Sequence, residues 1–234
     1  MPKGIIWVSS RLSHPPVDQA REGVPALTPE RFCDWYENTH IQEVTALKGV
    51  PAAVRWEAAH PQPSPSAWSV AAPWLTIYEM PDISYRDTAE FKGLDGQSPP
   101  KDALLHEIFE QARFDTRFYE ETFSSHGSES DSSTPLPKEG KYVLSLSTSE
   151  PEATARLFDG VRGVRRLRAF RVQAGTTLER FVRRDALGEG GIKGGLVVVE
   201  FGEGAGERVS EVVKGEEDGE VGWYVRKREY GEVQ

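Results

Sequence analysis

A single cysteine, Cys33, stands in a chain of 234 residues. It has no partner for an internal disulfide, which fits a reducing compartment and makes the cytoplasm the expected location. No apolar run approaches the roughly 20 residues that a spanning helix needs, so no membrane partner is expected. The first residues, MPKGIIWVSSRLSHPP, place only about five mostly apolar positions between Lys3 and a pair of serines, too few for a secretory core. Neither a G-x-S-x-G elbow nor a P-loop occurs. The glycines of GEGGIKGG (188–195) precede a strand instead of following one, so they read as a hairpin loop and not a dinucleotide fingerprint. Cys33 could be a nucleophile, but it falls on a helix face with no basic residue obvious beside it, and a small core residue is the simpler account.

Positive charge is also short: 28 Lys and Arg stand against 37 Asp and Glu, a net charge of −9. An acidic chain repels nucleic acid unless its basic residues gather on one face. Arg162, Arg165, Arg166, Arg168 and Arg171, then Arg180, Arg183 and Arg184, are such a gathering. They come without a recognition helix or stacking aromatics, so they read as a solvated strand and loop, and no nucleic-acid partner is expected.

What is present divides in two. Residues 126–140, HGSESDSSTPLPKEG, have Leu136 as their one large apolar residue and read as a linker. It separates residues 1–125 from residues 141–234. The first part reads as strand Gly4–Leu12, a helix from Thr28 to Lys48, and strands over 50–60 and 74–80. A helix within 101–113 and an aromatic strand over 114–123 complete it. After the linker the pattern recurs in shorter form: strand 142–147, helix 151–160, strands 164–173 and 195–201, helix 207–214 and strand 222–229. Both halves therefore read β-α-β-β-α-β. The expected fold class is α+β: two ferredoxin-like repeats whose antiparallel sheets bury their bare faces against each other as an α/β barrel.

The segment PERFCDWYENTHIQEVTALK carries the clearest chemical signal. Thr28 is a natural N-cap, Pro29 suits the first helical position, and Gly49 is a natural stop. At about 100° per residue, Phe32, Cys33, Tyr36, Val44 and Leu47 share one apolar face with His40 near its middle. A histidine there is partly desolvated, and burial holds it neutral and able to accept a proton. Glu37 and Glu43 each lie one turn away and could orient the ring. Glu37-x-x-His40 also has the spacing of a helix-borne di-iron ligand pair, but His14, His60, His106 and His126 supply no second pair, so no metal is expected.

The strand GIIWVSSRL, the helix FCDWYENTHIQEV and the strands VPAAVRWEA and PWLTIYEMPD together resemble the dimeric α/β-barrel superfamily. Within it they are most similar to the EthD-domain proteins of fungal biosynthetic gene sets, through Phe32, Trp35, Tyr36 and His40 in a Phe-x-x-Trp-Tyr-x-x-x-His pattern. The resemblance covers residues 4–124; beyond the linker it rests on element order alone. It implies an aromatic-lined pocket between sheet and helices that works without a metal, nucleotide or other cofactor. It also implies proton transfer on an activated carbon or carbonyl, as in the cyclases, dehydratases, isomerases, decarboxylases and cofactor-free monooxygenases of that superfamily. The expected activity is a lyase, cyclase or isomerase acting on a hydrophobic polyketide-derived or terpenoid molecule, with a binding or stress-response role as the alternative. His40 would be the general acid/base, and Tyr36 a hydrogen-bond donor to a developing enolate. Trp7, Ser9 and Arg11 on one strand face, Arg55 and Tyr78 on neighbouring strands, and the flat rings of Trp35 and Trp74 are the expected substrate contacts. The second half, lacking the motif, would be structural. A monomer with an internal pseudo-dimer, or a homodimer, would satisfy this arrangement.

Overall fold

Among the described residues nine strands form the framework: β1 (Gly4–Leu12), β2 (Ala52–Ala58), β3 (Trp74–Met80), β4 (Ala112–His126), β5 (Tyr142–Thr148), β6 (Val164–Glu179), β7 (Val182–Asp185), β8 (Gly195–Phe201) and β9 (Val221–Gly231). The computed structural model describes residues 1–13, 24–97, 100, 102–126, 140–186, 194–203, 209 and 221–231. The linker expected at 126–140 and the helix expected at 207–214 lie almost wholly outside the described residues. All the pairings are antiparallel and run β4-β1-β3-β2-β9-β5-β8-β6, and β6 returns to pair with β4. The eight strands thus close into a barrel, with β7 appended to β6 as a hairpin.

The result is a mixed α+β protein on one closed sheet. The two sheets expected from the sequence do meet, but they are stitched into a single ladder by β2–β9 and β4–β6. Closure satisfies the backbone of what would otherwise be four edges. The relative strand order of the first half, β4-β1-β3-β2, returns in the second as β9-β5-β8-β6.

Successive side chains along a strand point to opposite faces, and this alternation sorts the core into three layers. Ile5, Trp7, Trp56, Leu75, Ile77, Tyr119, Phe170, Val198 and Tyr224 fill the barrel interior. Ile6, Val8, Tyr78, Phe114 and Phe118 face outward from the first half, beneath its helices. Leu144, Leu146, Phe201 and Trp223 do the same for the second half. Arg168 lies inside the barrel, 2.7 Å from Glu79 and within 4.0 Å of Glu121 and Glu200.

The helices of the first half are short and irregular. The expected helix is capped by Thr28, whose hydroxyl accepts from Arg31 N at 3.3 Å. It runs as α1 (Pro29–Trp35), a π-helical turn at Tyr36–His40, and α2 (Ile41–Thr45). It stops short of Gly49, where a Cβ would run into the Tyr85 ring. The expected helix within 101–113 is α5 (Asp102–Leu104) continuing as a second π turn, Leu105–Phe109. α3 (Trp68–Ala71), α4 (Ala89–Lys92) and α6 (Pro151–Arg156) complete the helices among the described residues. None of these is long and apolar enough to cross a membrane.

Candidate functional site

The π turn decides where His40 points. On a regular helix Ile41 would fall about 180° from Phe32, on the solvent side. In the structure Ile41 is 0% exposed and packs with Phe32, Tyr36 and Val44 against the sheet. One extra residue in the turn moves Ile41 into the core line and pushes His40 to its flank. The expectation that His40 is centred on the buried face is therefore corrected: it is half-buried and lines a cleft.

That cleft is bounded by Ile6, Val8, Tyr36, His40, Tyr78, Phe109 and Phe114 within the helix-covered layer. Thr116 and Thr176, directly opposite each other on β4 and β6, belong to its wall, as do Leu178 and Arg183 from the β6–β7 hairpin. Phe91, Leu94, Asp95, Gly96 and Gln97 close another side. Its volume is about 600 Å³ counting the open mouth. Two π turns thus contribute to one cleft, His40 from the first and Phe109 from the second.

His40 stacks on Trp35 at 5.1 Å and lies 5.2 Å from the Tyr36 ring. Its Nδ1 is buried and, among the described residues, without a hydrogen-bond partner. Desolvation pulls its pKa down to about 4, so the ring is neutral at neutral pH. A neutral imidazole offers one donor and one acceptor, and among the described residues no group bonds to Nδ1 to fix the tautomer. Glu37, expected as a possible orienting partner, instead pairs with Arg55 at 3.4 Å.

Beside His40 the Tyr78 hydroxyl donates to that of Tyr36 at 3.3 Å. Burial raises the pKa of both phenols, and the Arg55 guanidinium pulls each back down. Arg55 is 0% exposed and lies 4.9 Å from the Tyr36 ring centroid and 5.9 Å from that of Trp74. It also donates to Thr76 Oγ1 at 3.4 Å and to Cys33 Sγ at 3.7 Å. It therefore lies under the tyrosine pair and is not among the residues that line the cleft. Trp74 is likewise beneath, stacked on Phe32 at 4.7 Å.

Of the residues expected to surround a substrate, the structure gathers Trp35, Tyr36, His40, Arg55, Trp74 and Tyr78 in one layer, with Tyr36, His40 and Tyr78 on the cleft wall. Trp7, Ser9 and Arg11 are not brought there. They occupy the opposite face of β1, where Trp7 donates to Ser145 Oγ at 3.1 Å and Ser9 accepts from Trp68 Nε1 at 3.0 Å. Arg11 pairs with Glu179 at 3.0 Å. The alternation of β1 makes this unavoidable: if Ile6 and Val8 face the helices, Trp7 and Ser9 cannot. The sequence reasoning also missed residues 91–97 and the hairpin residues Thr176, Leu178 and Arg183. Neither segment carries a local signal of its role. The second half therefore supplies part of the wall.

Cys33, Glu37 and Glu57 hold ligand-type atoms within 4.8 Å of one another. The Arg55 guanidinium already contacts two of the three, so a cation stands where an ion would bind.

No family model matches the chain, and no curated protein sequence does. Among solved structures, an anthrone oxidase-like protein aligns over 98% of this chain and 93% of its own, with TM-score 0.51 and 10% identity. A protein named as a chlorite dismutase aligns over 97% and 96%, with TM-score 0.50 and 10% identity. Identities this low show a shared fold, the closed antiparallel barrel with outer helices, and leave function to the site itself.

Proposed function

We propose that the chain is a cofactor-independent enzyme that moves a proton on a hydrophobic, ring-containing small molecule bound in the His40 cleft. The observation that carries this reading is a neutral imidazole with a buried, unpartnered nitrogen, set among aromatic rings at the wall of an open cleft. His40 accepts a proton from a carbon or hydroxyl of the ligand, and its depressed basicity makes it return that proton readily. Tyr36, whose hydroxyl accepts from Tyr78, keeps its own O–H to donate to an oxygen that gains negative charge, and the buried cation of Arg55 beneath steadies that charge. Lyase, cyclase and isomerase chemistry on polyketide-derived or terpenoid substrates can be carried by these elements. The Phe-x-x-Trp-Tyr-x-x-x-His resemblance to EthD-domain proteins supports this class, as does the same strand order in each half, that of ferredoxin-like repeats. With both halves of the barrel in one chain, a monomer suffices for the site.

One observation favours a second reading, ligand binding without turnover: no carboxylate among the described residues orients the His40 ring. The test separates the two. Wild type and H40A are titrated with a panel of aromatic polyketide-like compounds while tryptophan fluorescence and product are followed together. Binding with conversion in wild type, and loss of conversion by at least about 100-fold in H40A, is the expected result for a general acid/base. Equal turnover in both proteins overturns the assignment of His40. Binding without conversion in either establishes the second reading for those compounds.

A further inference from the structure

Inside the barrel, on the side of the sheet away from His40, lies a buried cation without an anion. Arg117 on β4 is 8% exposed, and among the described residues no carboxylate comes within salt-bridge distance of it. Among the described residues its buried Nε has no partner, and its one hydrogen bond is a long one, 3.5 Å to the Tyr119 hydroxyl. Asp115, two residues along the same face, is already engaged: it accepts from Arg113 at 2.9 and 3.0 Å and from Thr177 at 2.7 Å.

Apart from Asp115 and the Tyr119 hydroxyl, the groups named against Arg117 are aromatic faces and the serines bonded to them. Its guanidinium lies 4.8 Å from the Trp7 ring and 5.6 Å from that of Trp68. Each indole N–H is taken up by a serine, Trp7 by Ser145 at 3.1 Å and Trp68 by Ser9 at 3.0 Å. Each serine thereby accepts and keeps its own O–H to give. Directly across the ladder from Arg117 stands Gly175, which contributes no side chain. Trp68, on α3, is the one member of the group that is not fully buried, and it marks the way in. Leaving a guanidinium desolvated without a counter-charge is costly, and two aromatic faces offset only part of that cost.

We propose that this end of the barrel interior binds a small monoanion, a halide or a short carboxylate, held by Arg117 with the hydroxyls of Ser9 and Ser145 and covered by Trp68. The site is separate from the His40 cleft and does not depend on the function assigned to it. Tryptophan fluorescence reports on it directly, because two of the six tryptophans flank the guanidinium.

The test titrates sodium chloride and, in a parallel arm, sodium formate, each at constant ionic strength made up with gluconate. Fluorescence and the thermal midpoint are read in wild type, R117M and R117K. The expected result in wild type is a saturating fluorescence change with a matching rise in the midpoint. R117M should lose saturation, and R117K should weaken binding by at least about tenfold, because a lysine lacks the forked donors. Saturation by chloride assigns a halide, and saturation by formate alone assigns a carboxylate. A linear response to both salts in wild type overturns the proposal even if R117M fails to fold. So does a response that R117M reproduces.

Discussion

Replacing His40 by Gln should make the protein less sensitive to acid, and the effect can be sized from the structure. The His40 pKa is about 4 in the fold, against 6.5 for a free imidazole, because burial disfavours the charged ring. The unfolded chain therefore binds a proton at His40 below pH 6.5 that the folded chain refuses until about pH 4. The sign follows from linkage: stability from this group is full above pH 6.5 and is lost as pH falls toward 4. A shift of this size corresponds to about 3 kcal/mol at full effect and about 2.5 kcal/mol at pH 4.5. The ring is only half-buried, so solvent screening should reduce the loss to about 1–2 kcal/mol. Urea unfolding of wild type and H40Q at pH 7 and pH 4.5 measures it. Wild type should lose that much more stability than H40Q between the two pH values. Equal losses would refute the claim that the imidazole is desolvated and neutral.

The remaining predictions concern turnover, the barrel anion, the π turn and the barrel's ion pairs. H40A should abolish conversion of any true substrate while leaving its binding detectable by fluorescence. Wild type should show saturable chloride or formate binding that R117M lacks. I41A should cost about 2–5 kcal/mol in chemical denaturation, because the π turn buries Ile41 fully, whereas T39A on the exposed side should stay within about 0.5 kcal/mol. If the two cost the same, the helix is regular and the π turn is wrong. R168M should lose about 1.5–3 kcal/mol, because it removes the buried cation that Glu79, Glu121 and Glu200 share, while Arg166 stays 3.9 Å from Glu79 and Arg226 3.5 Å from Glu200. A loss under about 1 kcal/mol in the same denaturation would show that these carboxylates find other partners.

The elements were largely legible. β1, β3 and β8 begin and end where alternation and apolar runs put them, and the Thr28 cap with Pro29 marks the first helix. The faces were not. The first seven residues of β1 are buried, so no polar side tells which of Ile6 or Trp7 looks toward the helices. Sequence analysis assigned Trp7 and Ser9 to the helix-covered side, and the barrel turns them inward. The π turn was equally hidden, since PERFCDWYENTHIQEV reads well as an ordinary amphipathic helix up to His40.

Local chemistry, acting over a turn of helix or a few residues of strand, thus determined the strands, the cap, the aromatic helix and the single histidine on it. Only the tertiary structure decided that His40 stands at a cleft's edge, because that depends on Ile41 claiming the core position through a π turn. Closure of the barrel likewise brought Thr176, Leu178 and Arg183 to a site some 130 to 150 residues away in sequence, through the pairing of β4 with β6. Pairing across such separations is fixed by which surfaces can be buried together, and no local pattern records it.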